Sequence, residues 1–364
     1  MATPLVDKLT PTDPRVQHCT FTTPTTNKTY HYLLAEPPKT GSNPNPPTTA
    51  LLVHGFPDLA FGWRYQVPHL LSLGLRVVVP DLLGYGRSDA PVDLKEYGYK
   101  SVVEDLVALV QHVQRGDAWE GVEGEKELAE KKRIVLGGHD WGGAVVWRFA
   151  LWRPEMLRCV FSVCTPFWAP SPVYVSKTEM VKRLPNFGYQ VQFEGTSVEG
   201  VVVGREKLRA FLSVMYNARR EDRETVFDVS RGLWAENFDE SKIGNSPLLS
   251  KEETDYYADE YARNGIRGPL CWYKTSKVNF DDEQELLKAG KTRVTVPALM
   301  VVATRDPALP PAMAAGMDQH CDNLVKRHVD ATHWALWEAP AETNKHIEEF
   351  LGGILKEQPL KASI

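Results

Sequence analysis

A β-branched run (Ile134, Val135, with Leu136) passes directly into Gly137, Gly138, His139, Asp140, Trp141, Gly142 and Gly143. A helical apolar pattern, Gly142–Trp152, follows without a spacer. Glycines two before, two after and three after a central residue mark a strand, a sharp turn and a helix. The spacing has a steric cause. The apex residue is held in a strained backbone conformation, and a bulky flanking side chain would strike the strand or the helix. The apex here is Asp140. A carboxylate at neutral pH needs no base to become a nucleophile. It suits attack on a saturated carbon with a strained or good leaving group.

Around this turn the chain alternates short apolar runs with helical patterns. Two alternating segments, Arg15–Thr22 and Lys28–Ala35, predict an antiparallel hairpin. A Pro-, Asn-, Gly- and Ser-rich loop (37–48) follows. Continuous β-branched runs then predict buried strands at Ala50–Val53, Arg76–Val79, Arg133–Leu136, Cys159–Val163, Ala298–Val302 and Leu324–Val329. Helices fit at Arg64–Ser72, Ser101–Arg115, Gly142–Trp152, Met313–Gln319 and Thr343–Leu355. This order predicts a doubly wound, mostly parallel α/β sheet. The charged stretch Gly116–Lys132 reads as a solvated excursion with a short helix. Between Thr165 and Lys291 the strand signal disappears, and helical patterns occupy Lys177–Arg183, Gly204–Asn217, Lys251–Asn264 and Pro269–Asn279. A helical segment between two strands of one sheet reads as a lid that excludes water.

Composition removes several function classes. The net charge of −5 leaves no basic excess to neutralise phosphates, so nucleic acid is not an expected partner. No apolar run approaches ~18 residues, so no membrane-inserting helix is expected. The five cysteines (19, 159, 164, 271, 321) lack metal-ligand and CxxC spacing. They read as reduced thiols, and a cytoplasmic location is expected. The N-terminal residues show no basic stretch followed by an apolar one, so no leader is expected. The last residues, Lys361–Ile364, lack the basic residue of a peroxisomal tripeptide. Neither a cofactor nor a metal site is expected, and the chain is expected to be a monomer. Ten tryptophans, several near the motifs, suggest an aromatic-lined pocket.

Two further residues complete a constellation. In this sheet class the chain order is nucleophile, acid, histidine. Asp306 follows the run Ala298–Val302, and His333 follows Leu324–Val329. Both lie past strand carboxyl ends, where open α/β sheets put their sites. His333 would activate water while Asp306 holds its tautomer. Asp318, Asp322 and Asp330 compete for the acid's place. Upstream, Leu51–Val53 ends in His54-Gly55-Phe56-Pro57-Asp58. The N–H groups of Phe56 and Trp141 would form an oxyanion hole. His54 and His139 read as loop braces.

These motifs resemble those of the soluble epoxide hydrolases of the α/β-hydrolase superfamily. The resemblance lies in HGFPD (54–58), DLLGYGRSD (81–89), GGHDWGG (137–143), RDP (305–307) and THW (332–334). Gly188-Tyr189-Gln190 and Cys271-Trp272-Tyr273-Lys274 match as well. It implies an α/β-hydrolase fold, with an eight-stranded, mostly parallel sheet flanked by helices. It further implies a core (1–165 and 292–364) and an inserted helical cap domain (166–291). By position, it places the epoxide-oxygen donors at Tyr189 and Tyr273. The implied substrate is a small apolar epoxide, and Trp334, Phe193 and Trp272 are expected in its pocket. Gly188 departs from the family, which often has an acidic or aromatic residue there.

Two rival readings use the same fold. A haloalkane or haloacid dehalogenase also has an elbow Asp, and Trp141 could donate to a halide. Haloalkane dehalogenases commonly have Asn where Phe56 stands, and fluoroacetate dehalogenases have Arg after the nucleophile. This chain has neither. A non-catalytic ligand-binding or receptor protein would tend to lose a triad member, whereas Asp140, Asp306 and His333 are all present. Fold alone does not separate them.

Overall fold

The structure, a computed structural model, describes residues 6–38, 45–119, 122 and 124–355. The terminal Lys361–Ile364 and part of the 37–48 loop lie outside the described residues. Ten strands occur among them: β1 (Gln17–Thr22), β2 (Thr29–Ala35), β3 (Thr49–Val53), β4 (Arg76–Pro80), β5 (Ile134–His139), β6 (Leu157–Val163), β7 (Phe227–Asp228), β8 (Gly232–Leu233), β9 (Ala298–Ala303) and β10 (Leu324–Val329).

Eight strands form one sheet, in the order β1-β2-β4-β3-β5-β6-β9-β10. Only β1–β2 and β2–β4 pair antiparallel; the rest are parallel. Every residue of β3, β4, β5 and β9 is buried. That burial explains their unbroken apolar runs. Helices cover both faces, so neither face can alternate with polar residues. The edge strands β1 and β10 keep exposed positions. This is the α/β-hydrolase fold.

β6 and β9 are neighbours, with Val160 opposite Ala298. The chain between them leaves the sheet and returns to the adjacent place. It forms helices, among them Lys177–Arg183, Gly188–Glu194, Arg205–Met215, Lys251–Tyr261 and Ser276–Lys288, plus the small ribbon β7–β8.

Two expected elements differ, and one helix was not expected. Met313–Gln319 is two 3₁₀ turns, Pro311–Ala314 and Met317–Gln319, separated at Gly316. Pro269–Asn279 is broken into Arg267–Cys271, a turn Trp272–Lys274 and a new helix from Ser276. The Thr275 hydroxyl donates to the Trp272 carbonyl at 2.9 Å, diverting it from helix bonding. The helix Gly188–Glu194 has no counterpart in the sequence pattern, being only 7 residues long. In the Gly116–Lys132 stretch, Glu125–Lys131 is a helix with no buried residue.

The sharp turn after β5 depends on close backbone approach. A Cβ on Gly142 would lie 2.0 Å from the Val53 carbonyl oxygen, which cannot swing aside. Gly142→Ala is therefore expected to destabilise by about 1–3 kcal/mol or more. Gly352, in the last helix, would leave an added methyl with nothing within 4 Å. Gly352→Ala should stabilise by about 0.5–1 kcal/mol through helix propensity. Denaturant melts of both variants check this, and equal effects would contradict the packing argument.

Candidate active site

β5 delivers Asp140 at φ 53°, ψ −123°, a region that non-glycine residues rarely enter. The Asp140 carbonyl accepts from the Thr165 hydroxyl at 2.8 Å and the Ala144 N–H at 3.2 Å, which hold the turn. The side chain emerges above the sheet's carboxyl edge. Asp140 Oδ1 accepts the Phe56 N–H at 2.7 Å. Its Oδ2 lies 3.4 Å from His333 Nε2. Trp141 opens the following helix, so its N–H has no acceptor one turn earlier in that helix.

His333 Nδ1 lies 2.7 Å from Asp306 Oδ2. The other Asp306 oxygen accepts the N–H groups of Ala308 (2.8 Å) and Leu309 (2.9 Å). The competing acids are engaged elsewhere: Asp318 with Lys326, Asp322 with Arg293, and Asp330 with Arg305. His139 Nε2 meets the His333 carbonyl at 2.8 Å. His54 donates from Nδ1 to the Gly55 carbonyl and accepts the Leu82 N–H at Nε2, which fixes a neutral tautomer. Both histidines therefore brace loops.

Two tyrosines face this group from the helical insertion. Tyr189 and Tyr273 line the same cavity as Asp140 and His333, a space of about 850 Å³. Their rings are 5.9 Å apart. Tyr273 packs edge-on against Phe56 and Trp141, each at 5.1 Å. Trp334 and Phe56 line the cavity as well. Phe193 is fully buried one layer back, 5.1 Å from Tyr273 and 5.5 Å from Tyr189. Trp272 is not among the lining residues. Its indole donates to the Leu83 carbonyl at 3.0 Å and packs on Tyr97, anchoring the turn that carries Tyr273.

The chain matches the Alpha/beta hydrolase family over residues 50–346. It is 41% identical to epoxide hydrolase srdG of Neurospora crassa, over 95% of this chain and 98% of that one. This chain belongs to the epoxide hydrolases. It is 33% identical over 306 residues to the bifunctional epoxide hydrolase 2 of Rattus norvegicus, and the match spans about half (51%) of that longer protein. The fold is that of epoxide hydrolase A from Mycobacterium thermoresistibile (TM-score 0.72, 24% identity, 93% and 98% of the two chains). It is equally that of an epoxide hydrolase from Vigna radiata (TM-score 0.71, 23% identity, 93% and 98% coverage).

Two glycine contacts, invisible in the motifs, set the tyrosines of this epoxide hydrolase. A Cβ on Gly188 would lie 1.7 Å from the Ser230 carbonyl oxygen. Its absence lets the Tyr189 N–H reach the Val229 carbonyl at 3.0 Å. The departure noted at Gly188 thus has a packing cause. On the other side, Gly84 of the core and Gly268 of the insertion touch backbone to backbone, where a Cβ on Gly84 would meet the Gly268 carbonyl carbon at 2.5 Å.

Electrostatics place a cation between two anions. Burial draws the His333 imidazolium pKa down, but the Asp306 charge and hydrogen bonds to Asp140 and Asp306 outweigh it, raising it to about 10. For Asp306, burial works upward, but the His333 charge together with the hydrogen bonds from His333, Leu309 and Ala308 outweighs it, leaving the carboxyl below its usual range. Burial, with the Asp140 charge next, pushes the Tyr189 phenol up, so it stays protonated. Tyr273 is raised by burial, then by its neighbours Tyr189 and Asp140. Among the described residues, His139, Cys164 and His333 are the one trio of metal-type ligands within 4.8 Å. Both His333 nitrogens already face carboxylates, so it offers a metal no free lone pair.

The sign of the His333 linkage fixes a pH dependence. Its pKa is raised on folding, so its stabilisation is complete below the unfolded value of about 6.5. It is lost as pH rises from there through about 10. NMR of the imidazole should show a midpoint near 10, and Asp140→Asn should lower it. His333→Gln should flatten the stability change across this interval relative to wild type. A wild-type midpoint at the ordinary histidine value would refute the ion triplet.

Proposed function

We propose that this chain opens epoxides to vicinal diols through a covalent ester on Asp140. The observation that supports it most is the apex carboxylate facing two tyrosines on one side and the His333–Asp306 pair on the other. The Asp140 carboxylate attacks an epoxide carbon, and the ring C–O bond breaks. Tyr189 and Tyr273 hold the leaving oxygen, and one of them gives it a proton. Their raised pKa values keep both phenols in the donor form.

Ester formation removes the negative charge of Asp140. One of the two anions that hold the proton on His333 is then gone. The imidazolium releases its proton to the tyrosinate through solvent, and both groups become neutral. His333 next takes a proton from water, and hydroxide attacks the ester carbonyl. The N–H of Phe56, already on Asp140 Oδ1, and that of Trp141 receive the oxyanion. Collapse breaks the acyl–oxygen bond and passes a proton to the diol oxygen. Asp140 returns as the carboxylate and His333 as the cation. In this reading residues 166–291 act as a cap over the core formed by 1–165 and 292–364. The cap carries both tyrosines and shuts out bulk water.

A single turnover of excess enzyme on styrene oxide in ¹⁸O-water tests the route. Unlabelled diol, with label in the Asp140 peptide, is expected; labelled diol would mean direct attack by water. His333→Gln should accumulate an adduct whose mass shift equals the epoxide. Tyr189→Phe and Tyr273→Phe should each slow ester formation by roughly 10²-fold. Gly188→Ala, by displacing Tyr189, should slow ester formation but not ester hydrolysis. A change in the hydrolysis step alone would contradict the positioning role.

A further inference from the structure

Three consecutive residues of the insertion touch the loops that carry the catalytic groups. Met215, Tyr216 and Asn217 close the helix Arg205–Met215. The Met215 carbonyl accepts the indole N–H of Trp334, the residue after His333, at 3.0 Å. The Tyr216 hydroxyl donates to the Pro57 carbonyl at 2.8 Å, next to the residue that presents the Phe56 N–H. The Asn217 amide donates to Glu338 Oε1 at 3.2 Å.

Glu338 passes that last contact to the residue before His333. Its Oε2 accepts the Thr332 N–H at 2.6 Å, and its Oε1 accepts the Thr332 hydroxyl at 2.8 Å. Two donors of one residue on one carboxylate fix the direction of the Thr332 backbone as well as its place. An acid just ahead of the helix Pro340–Leu355 would ordinarily serve that helix's first N–H groups. This carboxylate turns to Thr332 and Asn217 instead. His333 is thereby held from two sides. Its carbonyl accepts His139 Nε2 at 2.8 Å and the Cys164 thiol at 3.3 Å, both from the core. Its neighbours Thr332 and Trp334 are tied to Glu338 and Met215, and so to the insertion.

The helix end places Asn217 for this contact. The Ala218 N–H reaches the Ser213 carbonyl at 2.8 Å, and the Asn217 N–H reaches the Val214 carbonyl at 3.1 Å. That pair of bonds closes a helix through a left-handed residue, here Asn217 at φ 69°. Glycine is the usual occupant of such a place. Asparagine tolerates the conformation and brings an amide, which reaches Glu338. Val214, Met215 and Asn217 also line the cavity over Asp140.

We propose that Glu338 and Asn217 are positioning residues for the water-activating step, setting His333 through Thr332. This rests on the covalent-ester reading and says which part of the insertion its second half needs. His333 must bring Nε2 to a water that faces the ester carbonyl, and a misplacement of about 1 Å is costly there. Ester formation, carried by Asp140 and the two tyrosines, makes no use of His333 as a base.

Rapid quench with mass analysis of the Asp140 peptide measures ester formation and ester hydrolysis separately. Glu338→Gln leaves one acceptor oxygen for the two donors of Thr332. Asn217→Gly removes the amide, changes no charge and suits the left-handed backbone. Hydrolysis should slow relative to formation by about tenfold in Glu338→Gln and about threefold in Asn217→Gly. The ester then accumulates in both. Because Asn217 acts through Glu338, the double variant should lose no more than Glu338→Gln alone. Partial unfolding lowers the active fraction and leaves the ratio of the two steps where it was. An unchanged ratio in either variant, or losses that multiply in the double variant, overturns the proposal. If neither wild type nor His333→Gln forms an ester, the covalent reading fails by itself. The NMR signals of the His333 imidazole in the ligand-free enzyme then decide. A shift in Asn217→Gly upholds the positioning role, and unshifted signals overturn it.

Discussion

One imidazolium between two carboxylates ties the ends of three strands together. Asp140 follows β5, Asp306 follows β9 and His333 follows β10, yet 2.7 Å and 3.4 Å contacts join them. The charges are mostly out of water, so each depends on the others. Removing one partner leaves a buried charge uncompensated, which costs far more than an exposed pair is worth. The strained Asp140 backbone persists because this network, the Phe56 N–H and the Thr165 hydroxyl together over-determine it.

The insertion is held to the core by directed contacts as well as by burial. Arg64 is fully buried, 4.2 Å from the Trp337 ring, with Glu253 of the insertion 3.1 Å from its Nε. Tyr257 donates to Asp58 at 2.6 Å, Tyr216 to the Pro57 carbonyl at 2.8 Å, and Trp334 to the Met215 carbonyl at 3.0 Å. Two of these, to Asp58 and Pro57, end on the loop that presents the Phe56 N–H. The insertion therefore braces the same backbone that grips Asp140. The tyrosine and tryptophan bonds each satisfy a side-chain donor, so the seating is specific in direction and register.

Much of this was legible in the sequence. Buried strands announced themselves as β-branched runs because both faces of the sheet are covered. The glycine pattern around Asp140 was legible because a close approach leaves no alternative residue. Asp306 stood among four acids in the sequence. It is set apart by three-dimensional engagement, since Asp318, Asp322 and Asp330 each have a cation of their own. The insertion was harder. Its helices are short and are broken by side-chain bonds such as that of Thr275, which local pattern does not reveal. Tyr189 and Tyr273 came from family resemblance alone, since thirteen tyrosines carry no positional mark. Trp272 was expected in the pocket for its aromatic character. Its ring instead serves the core, and only the chain's path shows that.

The two tyrosines are suspended from different parts of the molecule. Tyr273 follows the Gly84–Gly268 contact, so its place is referred to the core. Tyr189 hangs from the Val229 carbonyl, on the cavity's own wall. A wall reshaped for a longer or wider ligand therefore carries Tyr189 with it and leaves Tyr273 where it was. The pair behaves as a caliper with one fixed jaw and one adjustable jaw, the adjustment being made by the segment that meets the ligand.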